Sequence, residues 1–309
     1  QDTVEVLGLE GQAYPGYTLR MFSDSAARVL KEFVFTRPVT LSGGGMFPMG
    51  DDMKLMKGRI RFDASAGRVR YPLLGTTLDL GRTKGEVLIS PQWVVVDKMM
   101  GTIWDGTFTG RILAQIDDGD ALNGSFVLQD MNLTSIGKSY DKKMEKATVH
   151  GAIEFSSKGG NMNSIQAKGE AALVHGDLVE IPLFGFLGEA LSNYIPGLGH
   201  LINYKISRAD CDFSIEKGYV RTSNFAAQGS NMSLEGGGWI RLSDLQVNSD
   251  FKLGLRGLPG FITSPVFLLA GGLFQVRGTG PLSNVSWNFA PFSGGKAPVP
   301  PAAAPARKR

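Results

Sequence analysis

Alternation with a period of two dominates this chain and leaves little choice of fold. Between 106 and 116, Phe108, Gly110, Ile112, Ala114 and Ile116 share one side of an extended segment, with Thr107, Thr109, Arg111 and Gln115 on the other. Successive side chains of a strand point to opposite faces, so such a segment is apolar on one side and polar on the other. The DDGD run at 117–120 then supplies a turn. Val149, Gly151, Ile153 and Phe155 repeat the pattern before KGGN at 158–161, and Ala209, Cys211, Phe213 and Ile215 repeat it before EKG at 216–218. Met232, Leu234, Ile240 and Leu242 follow; Val247, Phe251, Leu253 and Leu255 close the series, opposed by Asn248, Asp250, Lys252 and Arg256. Strands that recur roughly every dozen residues with hairpin-type connections predict an all-β fold, a long antiparallel meander.

Three segments break the rhythm and are expected to be short helices. Ser23 to Phe35 opens with an N-cap-like Ser and Asp and carries Val29, Leu30 and Phe33 at helical spacing. Pro182 to Ile195 starts with proline at a first-turn position and aligns Leu183, Leu187, Leu191 and Tyr194 on one stripe, a groove-end helix on the reading below. The third lies within Gly257 to Val276, which has no charged residue; Pro259, Pro265 and its glycines favour a surface or groove-end helix from about Ser264 to Leu273 over a membrane span. No strand–helix–strand cadence surrounds any of them, which excludes a parallel α/β fold.

Composition bounds the function. Hydrophobic residues make up 42 % and charged residues 20 % of the 309, enough for a core, and 41 glycines make the chain turn-rich. The formal charge is +3, but Lys296, Arg307, Lys308 and Arg309 stand in an acid-free tail, so residues 1–293 carry −1. No basic face remains for nucleic acid once the tail is set aside. The expected organisation is an N-terminal segment with a short helix over 1–40, one β domain over 41–293, and a disordered Pro/Ala-rich basic tail over 294–309. Cys211 is the one cysteine, so no internal disulfide forms. The chain starts with Gln1 and shows no signal pattern, and a fragment or processed form with its targeting information upstream is expected.

No residue pattern points to catalysis, a metal or a cofactor. His150, His175 and His200 lie far apart in sequence with no HExxH, whereas zinc needs several convergent ligands. Gly137-Lys138-Ser139 resembles the end of a phosphate loop, but Asn132 stands where its first glycine belongs. There is no Gly-x-Ser-x-Gly elbow. Asp117, Asp118 and Asp120 fail calcium-loop spacing at Leu122 and read as a hairpin turn, as do Asp51 and Asp52. What remains is the apolar stripe, either the core of a sandwich or barrel or the floor of a sheet curled into an open groove.

Several segments resemble one family. GEVLISPQWVVVDKMMGTIWDGTFTGRILAQID (85–117), with its WDG corner at 104–106, LNGSFVLQDMNLTSIG (122–137), GEAALVHGDLVEIPLFGFLGEAL (169–191), the hairpins of 209–253 and FQVRGTGPLSNVSWNF (274–289) are similar in order to the AsmA-like C-terminal region of the AsmA, TamB and YhdP group. Trp104-Asp105 stands where the family often has Tyr-Gly, and Val285 where proline is frequent. The resemblance implies an apolar β-groove in a Gram-negative envelope protein, anchored in the inner membrane and projecting into the periplasm. It further implies a non-enzymatic role in outer-membrane biogenesis, conducting phospholipid or another lipid between the membranes, with outer-membrane components as further partners and no cofactor. The groove would be lined by Phe108, Ile112, Ile116, Val149, Ile153, Phe155, Phe213, Ile215, Leu234, Ile240, Phe251, Leu253 and Leu255. The alternative is a scaffold or assembly factor for outer-membrane proteins, with a filled β core and no lipid.

Overall fold

In a computed structural model, residues 3–15, 33–48, 57–73, 76–115, 121–141, 144, 146–158, 164–174, 206–230, 232–255, 273–282 and 284–291 are described. They fold as the alternation predicts, all-β and antiparallel, with sheets that stay open rather than closing into a barrel. The chain divides into two compact units, one of residues 1–143 and 150–161, the other of 144–149 and 162–309.

In unit 1, β1 (Thr3–Ala13) pairs with β3 (Val39–Pro48), which pairs with β4 (Lys57–Asp63). The long β6 (Thr76–Ile89) is paired by β5 (Arg68–Leu73) along its first half and by β4 along its second. The order continues through β7 (Trp93–Ile103), β8 (Gly106–Gln115) and β9 (Leu122–Asn132). The strand β10 (Thr148–Ser157) passes from unit 2 into unit 1 at His150. In unit 2 the pairings follow the chain: β11 (Gln166–Val174), β12 (Ile206–Glu216), β13 (Tyr219–Gly229), β14 (Met232–Arg241), β15 (Gln246–Leu255), β16 (Leu273–Pro281) and β17 (Ser286–Pro291).

Two stretches expected to be helical reach residues that are strand. Val34 and Phe35 form the short strand β2, paired to Arg70 and Val69, so no helix from Ser23 runs to Phe35. Phe33 and Phe35 pack on the buried cluster of Val39, Ala64 and Val69, and that burial overrides local helical spacing. Leu273 opposes Gly254 as the first residue of β16, so the apolar run ends as strand rather than helix. The groove-end residues Leu183, Leu187, Leu191 and Tyr194 lie outside the described residues, as do Asp51, Asp52, Asp117, Asp118, Asp120, His175, His200 and the tail.

The described helix, α1 (Leu133–Ser139), holds the Gly-Lys-Ser triplet and is not foreshadowed by any periodicity. Asn132 caps it, its Oδ1 accepting the Thr134 amide at 2.9 Å. The helix seats the corner between β7 and β8, where Trp104 and Asp105 both have positive φ, 48° and 61°. This two-residue hairpin needs left-handed backbone at both central positions. Side chains hold it there: Trp104 Nε1 donates to Ser139 Oγ at 2.9 Å, and the Ser135 hydroxyl donates to Asp105. The Asn132 amide donates to the Trp104 carbonyl at 2.8 Å. The Glu216–Tyr219 hairpin uses Lys217 (φ 52°) and Gly218 (φ 77°) in the same way, at the turn expected from EKG.

Candidate functional site

Register converts the alternation into continuous ladders. In unit 1 the cross-strand partners Leu9, Gly43, Ile60, Val87, Val96, Ile112 and Gly124 form one rung running from β1 to β9. A second rung runs Gly58, Ile89, Val94, Ala114, Leu122. Every member of the first rung is apolar or glycine, and each is half-buried except Leu9, which is exposed. Rings fill the neighbouring space. Phe108 lies 6.5 Å from Phe126, and Phe126 stacks on Phe155 at 6.1 Å with planes 3° apart. Glycines make room for them: a Cβ on Gly124 would lie 2.6 Å from the Phe155 ring, and one on Gly110 would collide with Phe126.

In unit 2 the corresponding rung, Leu173, Ala209, Ala227, Leu234, Leu253, Phe274 and Pro291, is apolar on all seven strands. Here the face is closed to solvent at its centre, with Leu234 and Leu253 only 0 % and 1 % exposed. Phe251, buried in the same face, meets Phe225 edge-on at 5.4 Å and Trp287 at 6.3 Å. Another rung, Ala167, Ile215, Val220, Ile240 and Val247, is half-buried over its three middle members.

The expected lining therefore falls into two environments. Phe108, Leu234, Phe251 and Leu253 are buried; Ile112, Val149, Ile153, Phe155, Phe213, Ile215 and Ile240 are half-buried. Ile116 and the side chain of Leu255 lie outside the described residues. Phe108 and Phe155 flank Phe126 in unit 1, with Ile112 opposite Gly124 on the same face, while Leu234 and Leu253 are direct cross-strand partners in unit 2. Phe126, Val87, Val96, Phe274 and Val276 share these faces and went unnoticed in the sequence. The alternation in FQV at 274–276 and the small-opposite-large pairing of Gly110 with Phe126 are the signals that mark them.

The opposite faces carry the charge. In unit 2, Asp250 sits opposite the apolar face as its alternation predicts, yet it is buried. Gln275 Nε2 donates to both its oxygens, at 2.9 and 2.7 Å, and Arg277 Nη2 to one at 2.9 Å. In unit 1 the opposite face is mixed, because Leu88, Val95 and Leu113 form a rung of their own between charged ones. The VVV run at 94–96 and the ILA run at 112–114 are apolar on both sides.

Burial and hydrogen bonding displace several titratable groups among the described residues. Burial pushes the Cys211 thiol up, with Asp212 and Asp210 adding to it. Hydrogen bonds from Ser65 hold Asp63 below the usual carboxylate range, its Oδ1 accepting the Ser65 amide at 2.7 Å. Arg241 does the same for Asp244 at the β14–β15 turn, its Nε donating at 2.8 Å. His150 Nδ1 accepts the Asp130 amide at 3.3 Å, a strand-face role. Among the described residues no three His, Cys, Asp or Glu side chains are grouped to hold a metal, and no helix is long and apolar enough to cross a membrane. Comparison with family models, curated proteins and solved structures finds no match.

Proposed function

We propose that this chain is a non-enzymatic envelope protein of the AsmA-like type that binds phospholipid or another membrane lipid and conducts it along its apolar β-surface between the inner and outer membranes. The observation that carries this reading is the rung from Leu9 to Gly124 in unit 1, apolar or glycine on every strand it crosses and with no member sealed from solvent, Leu9 being exposed and the others half-buried. An acyl chain laid on such a surface gains about 0.8 kcal/mol for each CH₂ removed from water. Because neighbouring positions offer similar contacts, a chain slides along the rung without a deep trap, and no single residue has to be unique. In this reading the protein works in the periplasm, attached to the inner membrane.

The test is a photo-crosslinking residue at Ile112 or Phe126, compared with one at Gln115 or Gln129 on the opposite face, followed by mass spectrometry of adducts. Lipid adducts confined to Ile112 and Phe126 are expected. Adducts on neither face, or equally on both, overturn the reading.

A second reading, a scaffold or assembly factor for outer-membrane proteins with a filled β core, is favoured by one observation, the sealing of Leu234 and Leu253 in unit 2. Purification without detergent separates the two: co-purifying lipid supports conduction, and a lipid-free preparation supports the scaffold.

A further inference from the structure

On the face of unit 1 opposite the apolar ladder, one carboxylate is ringed by three cations. The Glu86 side chain is 8 % exposed; Arg59 Nε and Arg61 Nε lie 3.3 and 3.7 Å from its Oε1, and Lys98 Nζ lies 3.6 Å from its Oε2. The cations themselves are 64 %, 73 % and 74 % exposed, so the anchor is buried and its partners face water. Three positive charges against one leave two uncompensated. The adjoining Arg111–Asp97 pair, at 3.7 Å, is neutral by itself.

The sheet is distorted where these groups meet. Register shifts interrupt β6 between Gly81 and Glu86 and β7 between Val96 and Met99. Lys98 occupies the second bulge with a φ of 50°, a left-handed backbone that lysine rarely adopts. In an unbroken strand Lys98 would follow Asp97 onto the apolar face; the extra residue lets it turn back towards Glu86. Such bulges are a recurrent means of re-aiming one side chain. Beside Lys98 a shallow concavity is lined by Thr109, Ser125, Met100 and Val127 and by Asp97, whose carboxylate is paired with Arg111.

We propose that Arg59, Arg61 and Lys98, seated on Glu86, bind a phosphate group. Glu86 engages each arginine through Nε, which leaves both terminal amino groups of each guanidinium to meet phosphate oxygens in the paired geometry that arginine favours. Lys98 adds a point charge, and the Thr109 and Ser125 hydroxyls stand next to it as further donors. The phosphate is that of a phospholipid headgroup or a free ion; both present the same oxygens. This site lies on the other face from the apolar rung, so it stands or falls apart from lipid conduction.

The full chain is titrated with inorganic phosphate by calorimetry, and in parallel sedimented with phosphatidylcholine vesicles with and without phosphatidylglycerol. Binding of inorganic phosphate assigns the free ion as a ligand, and retention only on phosphatidylglycerol vesicles assigns the headgroup. Binding in neither arm overturns the proposal. The Arg59→Gln/Arg61→Gln double variant should weaken whichever binding is seen by about tenfold or more, in line with loss of charged hydrogen bonds. Arg70→Gln, which removes a cation paired with Asp79 instead, should leave it unchanged. Equal losses in both variants overturn the proposal in favour of diffuse attraction. Glu86→Gln adds a net positive charge, so attraction alone predicts tighter binding, whereas loss of the seat predicts binding weakened severalfold. Tighter binding by Glu86→Gln overturns the seating role.

Discussion

Replacing Leu253 by glutamate measures how far the apolar face of unit 2 differs from that of unit 1. Leu253 is 1 % exposed and opposes Leu234 and Phe274 on neighbouring strands. Removing its side chain from this environment forfeits about 1.5–3 kcal/mol of burial. An unpaired carboxylate in its place adds a penalty of several kcal/mol. Together these approach the roughly 5–15 kcal/mol total stability of an ordinary domain, so unit 2 is expected to be largely unfolded in this variant. Leu253→Ala, which leaves a cavity but no charge, should cost about 2–5 kcal/mol and keep the fold. Ile112→Glu is the reference. Its position on the unit 1 rung is half-buried, a carboxylate there reaches water, and the cost should stay below about 2 kcal/mol.

The assay is urea unfolding followed by tryptophan fluorescence and far-ultraviolet circular dichroism. Trp239 and Trp287 report unit 2, and Trp287 lies 6.3 Å from Phe251 beside the substituted rung. A transition for Leu253→Glu no more shifted than that of Ile112→Glu would refute the argument, since it would mean that the Leu234–Leu253 rung yields to solvent as readily as the unit 1 rung.

Three further outcomes are expected. Gly110→Ala and Gly124→Ala push a Cβ into the Phe126 and Phe155 rings and should each cost about 1–3 kcal/mol by thermal melting; wild-type melting would show that the rings do not rest on these glycines. Asp63 has its folded-state pKa held below 3.8 by Ser65, so its stabilisation is complete above that pH and is lost as the pH falls through the folded value; Asp63→Asn should flatten the acid limb of stability against pH, and an unchanged limb would contradict this. Cys211, whose thiol is pushed up by burial on the apolar face of β12, should be alkylated at pH 8 more slowly than a free peptide thiol, and an equal rate would count against its placement.

How much of this was readable from the sequence depends on whether a feature is local. The alternation of β8 and β12 and the turn at Glu216 to Tyr219 were legible because period two and a Lys-Gly turn are properties of consecutive residues. Helix α1 was not, because its residues have no apolar stripe; its end is fixed by Asn132 and by the bonds to Trp104 and Asp105, some thirty residues away in sequence. Phe35 was misassigned for the same reason, its strand conformation being set by Val69 across the sheet. The burial of Asp250 also escaped notice, since Gln275 and Arg277 on the next strand are what make it tolerable.

The difference between the two apolar faces was likewise invisible in the alternation, and it bears most on function. The period-two signal of Phe108 to Ala114 is the same in kind as that of Val247 to Leu255, yet one rung is half open and the other sealed. Alternation fixes which side of a strand a residue occupies; what lies over that side is decided by register and by distant segments. Glycine content shows how register intervenes. The unit 1 rung sets Gly43 and Gly124 on either side of Ile60, Val87, Val96 and Ile112 and buries none of them, whereas the unit 2 rung has no glycine and buries Leu234, Leu253 and Phe274 side by side. A surface that is to hold an acyl chain must stay open to it, and a core that is to exclude one must be packed shut. On the proposed reading, lipid contact is therefore expected to concentrate on unit 1 rather than on the sealed face of unit 2.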